Sequence, residues 1–474
     1  MSVPLLIIGT SLGGPANQLT KVESLAEAES LFLPFVYDTL TYSATGASGS
    51  LSYPAYGNNV ETLLPSGSSY VPVNFYNLQA SGSLVTFGSV GSSGQCLLRY
   101  IPQPEESHLI PALREVLRQS GPLPLLYRVG GQRATLTLGP LLLTCDSPGS
   151  LGNGRTVSVS GSVLTFFVAS TLGTAGKTYP ILTQYDLCQR INQDQARGLI
   201  DFNASTDSPL STSVAPGTFS SSGGADVSLD KTTLVNVLSN LDITGVETVL
   251  IAGGVAPGDA PDILAALTDA SIYPTLYFLG APLSTAMLPA SGFPALPADG
   301  RVFYIPGHSL SSNNPGTSLN RQTGTLSLAA TFAGQWTAGA GNPLHQPCGL
   351  SSLFYEWDAV NLSQAGSGLT YYGNTIGNGI APIHVNTLGG TDPLRSRLLQ
   401  VIGRRLYNLL DPLIGKGNTA DALQSLAQSA LLDLPFARAQ EVLVTDLGDT
   451  LKINVDVSLY GSVTSLIFVL QTTA

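Results

Sequence analysis

The order of apolar patterns between residues 230 and 285 constrains the fold of this 474-residue chain more than any other feature. Two continuous apolar runs, Thr248-Val-Leu-Ile-Ala252 and Thr275-Leu-Tyr-Phe-Leu279, are typical of buried strands, and residues 260–270 between them have helical spacing. A strand, a helix and a second strand in this order predict two parallel strands joined by a crossover helix. We therefore expect an α/β core built on a parallel sheet.

The N-terminal half predicts further elements of such a core and two regions that differ from it. Val3–Ile8 is an apolar run typical of a buried strand, and Ser24-Leu-Ala-Glu27 is a capping box that predicts the start of a helix. Residues 40–94 are nearly without charge and rich in Ser, Gly, Tyr and Pro, which predicts short strands and long loops. Alternating segments between turn signals in residues 121–205 predict a small β-sandwich.

The last 90 or so residues predict a small α+β unit. Residues 393–414 carry an apolar stripe at helical spacing. Residues 451–459 alternate apolar and polar side chains, which predicts a strand with one buried face. Residues 463–470 follow as a last strand, and Leu466–Leu470 is apolar on both faces.

Together these patterns predict an α/β multidomain fold with four regions. The α/β core with its parallel sheet occupies residues 1–120, with the Ser/Gly/Tyr-rich segment 40–94 as an addition, and continues in residues 226–385. An inserted β-sandwich domain occupies residues 121–225. A small α+β C-terminal domain with two terminal strands occupies residues 386–474.

Charge and composition exclude several classes of function. The formal net charge of −11 disfavours a general nucleic-acid binder. Charged residues make up only 11% of the chain, which favours surfaces that are covered by copies or partners. No apolar run reaches the roughly 18 residues of a membrane-spanning helix. The first positively charged side chain is Lys21, so the start of the sequence lacks the basic region of a secretion signal. The four cysteines are widely spaced, and we expect them to be reduced, buried thiols.

Two glycine-rich segments resemble catalytic motifs. Gly9-Thr-Ser11-Leu-Gly13 fits the pattern of a hydrolase nucleophile elbow, but Gly14-Pro15 follows where that motif needs a helix. Residues 171–178 nearly match a phosphate-binding loop, but Thr171 replaces its first glycine and Tyr179-Pro180 interrupts the expected helix. An α/β hydrolase acting through Ser11 is therefore a remote alternative, and no cofactor site is predicted.

A cluster of arginines stands out in this acidic chain. Arg397 and Arg404 lie about 20° apart on the polar side of the helix predicted for residues 393–414, and Arg405 lies at the edge of its apolar face. The pattern fits an interaction surface, and it also fits an ordinary solvated helix face.

Short motifs occur in a characteristic order along nearly the whole chain. They are Pro4-Leu-Leu-Ile-Ile-Gly-Thr-Ser11 with Gly14-Pro15, the helix 21–32, Leu97-Leu-Arg99, Ser147-Pro-Gly-Ser-Leu-Gly-Asn153, Ala333-Gly-Gln-Trp336 with Ala340-Gly-Asn342, Val385-Asn-Thr-Leu388 with Arg404-Arg405, and the paired strands in residues 451–470. None is specific alone, but their order and spacing resemble the contractile phage tail sheath family.

The resemblance implies a structural subunit and not an enzyme. Copies of such a subunit assemble helically, as stacked rings around a tail tube, and contract to drive the tube through the host envelope. The implied partners are other copies of the chain, the tail tube protein, and baseplate and tail terminator proteins, with no cofactor, no nucleic acid and no direct membrane insertion. The assembled sheath would be part of a virion, and its assembly would take place in the host cytoplasm. The sheath of a tailocin or other contractile injection system is an open alternative.

Two sets of interaction residues follow from the resemblance. The helix 393–414 is expected to face the inner tube, where Arg397, Arg404 and Arg405 would meet acidic groups. The terminal strands are expected to pair between subunits through Leu451, Ile453, Val455, Val457, Leu459, Val463, Leu466, Phe468 and Leu470. The family's N-terminal arm has no counterpart before the first strand, so these strands are expected to be the main tether.

Overall fold

The structure is a computed structural model of the chain. It describes residues 4–33, 35–53, 55–66, 69–74, 77–81, 83–88, 91–102, 108–169, 174–197, 199–243, 245–256, 258–269, 275–281, 298–310, 325–338, 347–350, 369–375, 379–390, 393–413, 420–432, 434, 437–446, 450–459 and 462–471. The motif residues 340–342 lie outside these ranges.

Helices and strands are numbered in chain order. The helices are α1 (Leu25–Phe32), α2 (Leu109–Arg118), α3 (Gln184–Ala196), α4 (Lys231–Asn240), α5 (Ala260–Asp269), α6 (Leu328–Thr337), α7 (Pro393–Leu410) and α8 (Ala420–Ala430). The first strands are β1 (Leu6–Gly9), β2 (Leu19–Lys21), β3 (Val36–Tyr42), β4 (Ala47–Ser50), β5 (Ala55–Ser66), β6 (Ser69–Val73), β7 (Gln79–Ser81), β8 (Leu84–Phe87), β9 (Gly94–Pro102), β10 (Leu125–Arg128), β11 (Thr135–Leu138), β12 (Leu141–Cys145), β13 (Thr156–Ser160), β14 (Val163–Ala169) and β15 (Thr174–Pro180). The later strands are β16 (Phe202–Thr206), β17 (Gly217–Ser220), β18 (Thr248–Ile251), β19 (Leu276–Gly280), β20 (Val302–Ile305), β21 (His308–Leu310), β22 (Thr325–Ser327), β23 (Tyr371–Thr375), β24 (Gly379–His384), β25 (Ala437–Asp446), β26 (Thr450–Leu459) and β27 (Ser462–Gln471).

The central element is a six-stranded sheet of order β2-β10-β1-β18-β19-β20. All its neighbouring strands are parallel except the edge strand β2. Strands β18 and β19 pair in parallel and α5 connects them, so the predicted strand–helix–strand unit is confirmed. Successive residues of β1 enter different apolar clusters: Ile7 packs with residues of α2 and α6, and Ile8 packs with residues of α4 and α5. Helices therefore cover both faces, as burial of a parallel sheet requires.

The N-cap of α1 matches its sequence signal. The Ser24 hydroxyl accepts a hydrogen bond from the backbone N–H of Glu27 at 3.1 Å. The Glu27 carboxylate in turn accepts one from the backbone N–H of Glu23 at 2.7 Å. These bonds satisfy donors at the helix start that have no partner inside the helix.

Residues 36–102 form a separate antiparallel unit. Two sheets, of order β3-β9-β5-β6 and β4-β8-β7, share one apolar core that includes Val85, Cys96 and Tyr100. Leu97-Leu-Arg99, a motif inside the range predicted for the α/β core, lies in β9 and pairs with β3 and β5. The strand beside β1 that ends in an arginine is instead β10.

Two more antiparallel sheets follow, of order β11-β12-β16 and β15-β14-β13-β17. They share an apolar cluster with α3 that includes Leu143, Val157 and Phe166. Strand β10 lies within the range 121–225 that was predicted for the sandwich, but it pairs in the central sheet.

The C-terminal unit contains α7, α8 and a three-stranded antiparallel sheet of order β25-β26-β27. Its apolar cluster includes Leu398, Ile402 and Leu406 of α7, Leu423 of α8, and Val455 of β26. The described part of the chain thus has mixed α/β content, with one mainly parallel sheet and several small antiparallel ones.

Candidate assembly interface

Helix α7 has two faces with different neighbours. Leu398, Ile402 and Leu406, spaced four residues apart, are at most 4% exposed and pack on the C-terminal sheet. Arg397, Gln400 and Arg404 follow each other at spacings of three and four, so they share another side of the helix. This second side contacts the central α/β unit.

Arg397 is held against Trp336, near the end of α6. Its Nη1 donates a hydrogen bond to the backbone carbonyl of Trp336 at 2.7 Å. Its guanidinium carbon lies 5.0 Å from the centroid of the Trp336 ring, within the range of a cation–π contact. Burial lowers the pKa of Arg397, and the nearby Glu247 carboxylate opposes this shift. The contact thus removes a charged group from water and replaces that water with a carbonyl and an aromatic face.

Gln400 and Arg404 meet Glu247, the residue before β18. The Gln400 amide donates to the Glu247 backbone carbonyl at 2.6 Å and accepts from the Trp336 indole N–H at 3.3 Å. Arg404 Nη1 lies 3.0 Å from Glu247 Oε1 and 3.2 Å from Oε2. Because the Glu247 side chain is 12% exposed and that of Arg404 38%, this ion pair is partly shielded from water.

Arg405 makes a different contact, inside the C-terminal unit. Its Nη1 donates to the backbone carbonyl of Ala430 at 3.1 Å, at the end of α8. Each of the three arginines predicted to face a tube therefore has a partner in its own chain. Their contact with a tube stays a prediction.

The terminal strands pair with each other along their whole length. Strand β26 pairs with β27 from Thr450↔Gln471 to Leu459↔Ser462, and with β25 on its other side. Ile453, Val455 and Val457 are at most 1% exposed, so the predicted alternation places one face of β26 in the core. Since β26 is central, the edges of this sheet are β25 and β27. Pairing of these strands between subunits stays a prediction.

Arg128 forms a buried junction that the sequence patterns did not reveal. This side chain is 1% exposed and donates to four backbone carbonyls: those of Ser11 at 2.6 Å, Gly14 at 2.7 Å, Leu12 at 3.0 Å and Pro148 at 2.6 Å. Burial lowers its pKa to about 10, and the Asp226 carboxylate opposes the shift. An arginine at the end of the apolar run 125–129 was the available signal, because a charged residue in a buried strand needs dedicated partners.

A second missed junction connects the 36–102 unit to the turn at residues 147–153. The Tyr53 and Ser150 hydroxyls lie 2.7 Å apart. The Ser150 backbone N–H donates a hydrogen bond to Asp226 Oδ1 at 2.9 Å, and the Ser150 hydroxyl donates one to Asp226 Oδ2. Leu151 packs against the apolar core of the 36–102 unit. The turn at residues 147–153 therefore docks this Ser/Gly/Tyr-rich unit on the rest of the chain.

The geometry does not support the two glycine-rich catalytic motifs. The Ser11 side chain is 7% exposed and its hydroxyl donates to the Phe32 carbonyl at 2.5 Å, while the residues after β1 form a loop. Residues from Thr174 onward form strand β15 where a phosphate-binding loop needs a helix. Residues 171–173 lie outside the described ranges.

The described part of the chain offers no candidate for a metal site or for a membrane-spanning helix. There, His, Cys, Asp and Glu side chains form no group of three or more that could hold a metal ion. None of the helices described combines the length and the apolar composition needed to cross a lipid bilayer.

Known proteins resemble this chain in structure and not in sequence. No family and no curated protein matches the sequence. The crystal structure of the sheath tail protein from Listeria innocua is 11% identical, and the match covers 99% of this chain and 95% of that chain with a TM-score of 0.56. The sheath tail protein from Desulfitobacterium hafniense is 14% identical, with coverages of 100% and 97% and a TM-score of 0.49. The anti-feeding prophage baseplate structure is 11% identical, with coverages of 100% and 90% and a TM-score of 0.39.

The fold is therefore similar to that of sheath tail proteins, as the sequence motifs predicted. This conclusion rests on the Listeria innocua structure, whose match extends over nearly all of both chains. At this level of identity the match establishes the fold alone.

Proposed function

We propose that this chain is a structural subunit of a contractile tail sheath. In this proposal, copies assemble helically around a tail tube and contract to drive the tube through the host envelope. The observation that carries the proposal is the match to a sheath tail protein along 99% of this chain and 95% of that chain. A match of this extent supports the proposal because it is not limited to one part of the chain.

Helical assembly needs a contact between two different surfaces of the subunit. A contact of this kind that does not close into a ring generates a helix. The partners proposed are other copies of the chain, a tail tube protein, and baseplate and terminator proteins, with assembly in the host cytoplasm and a virion as the product. The energy of contraction would come from a second, more stable packing of the same subunits and would need no nucleotide.

The terminal sheet is the proposed tether between subunits. Within one chain β26 is paired on both sides, so a strand from a neighbour would add to the edge strand β25 or β27. An edge strand leaves main-chain donors and acceptors open for such an addition. A tether made of main-chain bonds would let subunits rotate during contraction without separating.

Helix α7 is the proposed contact with the tube. Arg404 stays 38% exposed beside Glu247, and a guanidinium carries five N–H donors, so the internal ion pair leaves donors for a second acidic group. Each exposed ion pair would contribute only about 0.2–1 kcal/mol to the free energy of binding the tube, but a helical lattice repeats this pair at every subunit.

Co-expression with the tail tube protein encoded nearby, followed by negative-stain microscopy, tests this function. We expect regular tubes sheathed by this chain, formed without added nucleotide. A chain that stays monomeric beside assembled tubes, or a sheath whose contraction depends on ATP, would contradict the proposal.

A further inference from the structure

The C-terminal unit and the central sheet meet through polar groups. The apolar cluster of the C-terminal unit draws its members from residues 398–457, and the two clusters of the central sheet share none of them in the described residues. Helix α7 is joined to the central unit by polar bonds of Arg397, Gln400 and Arg404. An interface of this kind gives two units a defined orientation without merging their cores.

On the central unit, these side chains contact rigid elements. Trp336 is 1% exposed and packs with Phe278, Phe303 and Phe332, with ring centroids 5.2–6.0 Å from its own. The Glu247 carbonyl that binds Gln400 also accepts the backbone N–H of Leu276, at the start of β19. The arginines and the glutamine thus reach the amino-terminal edge of the parallel sheet, where movement of the partner groups is restricted by the core.

On the C-terminal unit, the same helix is anchored by its other face. Ile402 is fully buried and Leu406 is 2% exposed, both against the terminal sheet. A rotation of α7 about its axis would therefore break apolar packing on one side and polar bonds on the other. The direction of the terminal sheet relative to the core is fixed by where these polar bonds form.

We infer that Arg397, Gln400 and Arg404 form an interdomain clamp that sets the orientation of the C-terminal unit on the α/β core. The clamp is polar and the Arg404 side chain within it is 38% exposed, so the clamp can be released while both units stay folded. Arg397 and Arg404 act in it as positioning residues. This inference concerns the single chain and does not depend on the proposed function.

The test measures the distance between the two units in the full-length chain. Cysteines replacing Ser239 and Ser425, both exposed, take spin labels, while the described native cysteines are buried. The labelled chain is diluted into an excess of unlabelled chain, so each distance measured by double electron–electron resonance lies within one subunit. The double variant Arg397→Met, Arg404→Gln removes the two charged groups of the clamp but keeps similar side-chain volumes. Arg395→Gln, at an exposed position of α7, is the matched control.

We expect one narrow distance distribution in the parent and in the Arg395→Gln control. The double variant should broaden this distribution about twofold, because two units that have separate apolar cores move relative to each other by default. An unchanged distribution in the double variant would overturn the inference. Loss of its far-ultraviolet circular dichroism would also overturn it, because release of a clamp leaves both units folded.

Discussion

The guanidinium of Arg128, at the end of β10, donates a hydrogen bond to the carbonyl oxygen of Pro148 at 2.6 Å. This bond joins the central sheet to the turn between β12 and β13, which belong to the two antiparallel sheets of residues 135–220. The remaining donors of Arg128 bind carbonyls in the loop after β1. One side chain therefore fixes both the shape of that loop and its distance from the neighbouring unit.

Replacement of Arg128 should destabilise the chain strongly. Arg128→Met leaves buried carbonyl groups without their donors, and we expect the free energy of unfolding to fall by at least about 3 kcal/mol. Urea denaturation followed by circular dichroism measures this change. Arg133→Met is the matched control, because Arg133 is 44% exposed and lies 3.8 Å from Asp146. The control should change the free energy of unfolding by less than about 0.5 kcal/mol; equal effects of the two substitutions would contradict the role of Arg128.

His108 should make stability depend on pH. The His108 ring lies close to Gly253, where an added Cβ atom would be 3.1 Å from the His108 Cδ2. Burial lowers the pKa of His108 to about 4. Between its ordinary pKa of about 6.5 and this value, the unfolded chain binds a proton that the folded chain does not. The free energy of unfolding should therefore decrease as pH falls through this window, by about 1–3 kcal/mol.

Urea denaturation at pH 7 and near the lower pKa measures this effect. His108→Gln should lose that part of the pH dependence, and His384→Gln should retain it. If the free energy of unfolding of His108→Gln changes with pH as that of the parent does, His108 is not the group that causes the pH dependence.

Charge reversal on α7 tests the proposed contact with the tube. Arg397→Glu with Arg404→Glu should prevent assembly on a co-expressed tube, because acidic groups on both sides repel each other. Negative-stain microscopy and co-sedimentation measure assembly. Full-length extended sheaths built by the double variant would show that these arginines do not face the tube.

Arg405→Glu separates the tube contact from the contact with the core. Arg397 and Arg404 bond Trp336 and Glu247, whereas the described bond of Arg405 ends at Ala430 in its own unit. A reduced yield of sheathed tubes from folded Arg405→Glu subunits would support the tube contact by itself. A normal yield from Arg405→Glu together with loss in the double variant would assign the defect to the core contact.

Removal of residues 460–474 tests the tether. The truncated chain lacks β27, and we expect soluble, folded subunits that fail to polymerise because one of the two edge strands proposed for strand addition is gone. Size-exclusion chromatography, circular dichroism and microscopy distinguish the outcomes. An insoluble or unfolded product would mean that β27 completes the subunit's own core. Normal tubes would exclude both roles.

Local patterns were sufficient to predict the elements whose environment follows from their own residues. The run Thr248–Ala252 is apolar on both faces because both faces are covered, and the alternation in residues 451–459 matches a strand with one buried face. The cap at Ser24 depends on atoms three residues apart, so the sequence contains all of it. The order of such elements also carried the resemblance that the fold comparison supports.

The sequence by itself thus determined the parallel core, the β-rich units and the two-faced helix α7. Only the tertiary structure decided which strand lies beside β1, because Leu97–Arg99 and Leu125–Arg128 are similar apolar runs ending in arginine and pairing partners are chosen by long-range packing. It also decided what the arginines of α7 contact. Periodicity gives the side of a helix on which a residue lies, but the neighbour on that side, here Trp336 and Glu247, comes from chain segments about 60 and 150 residues away.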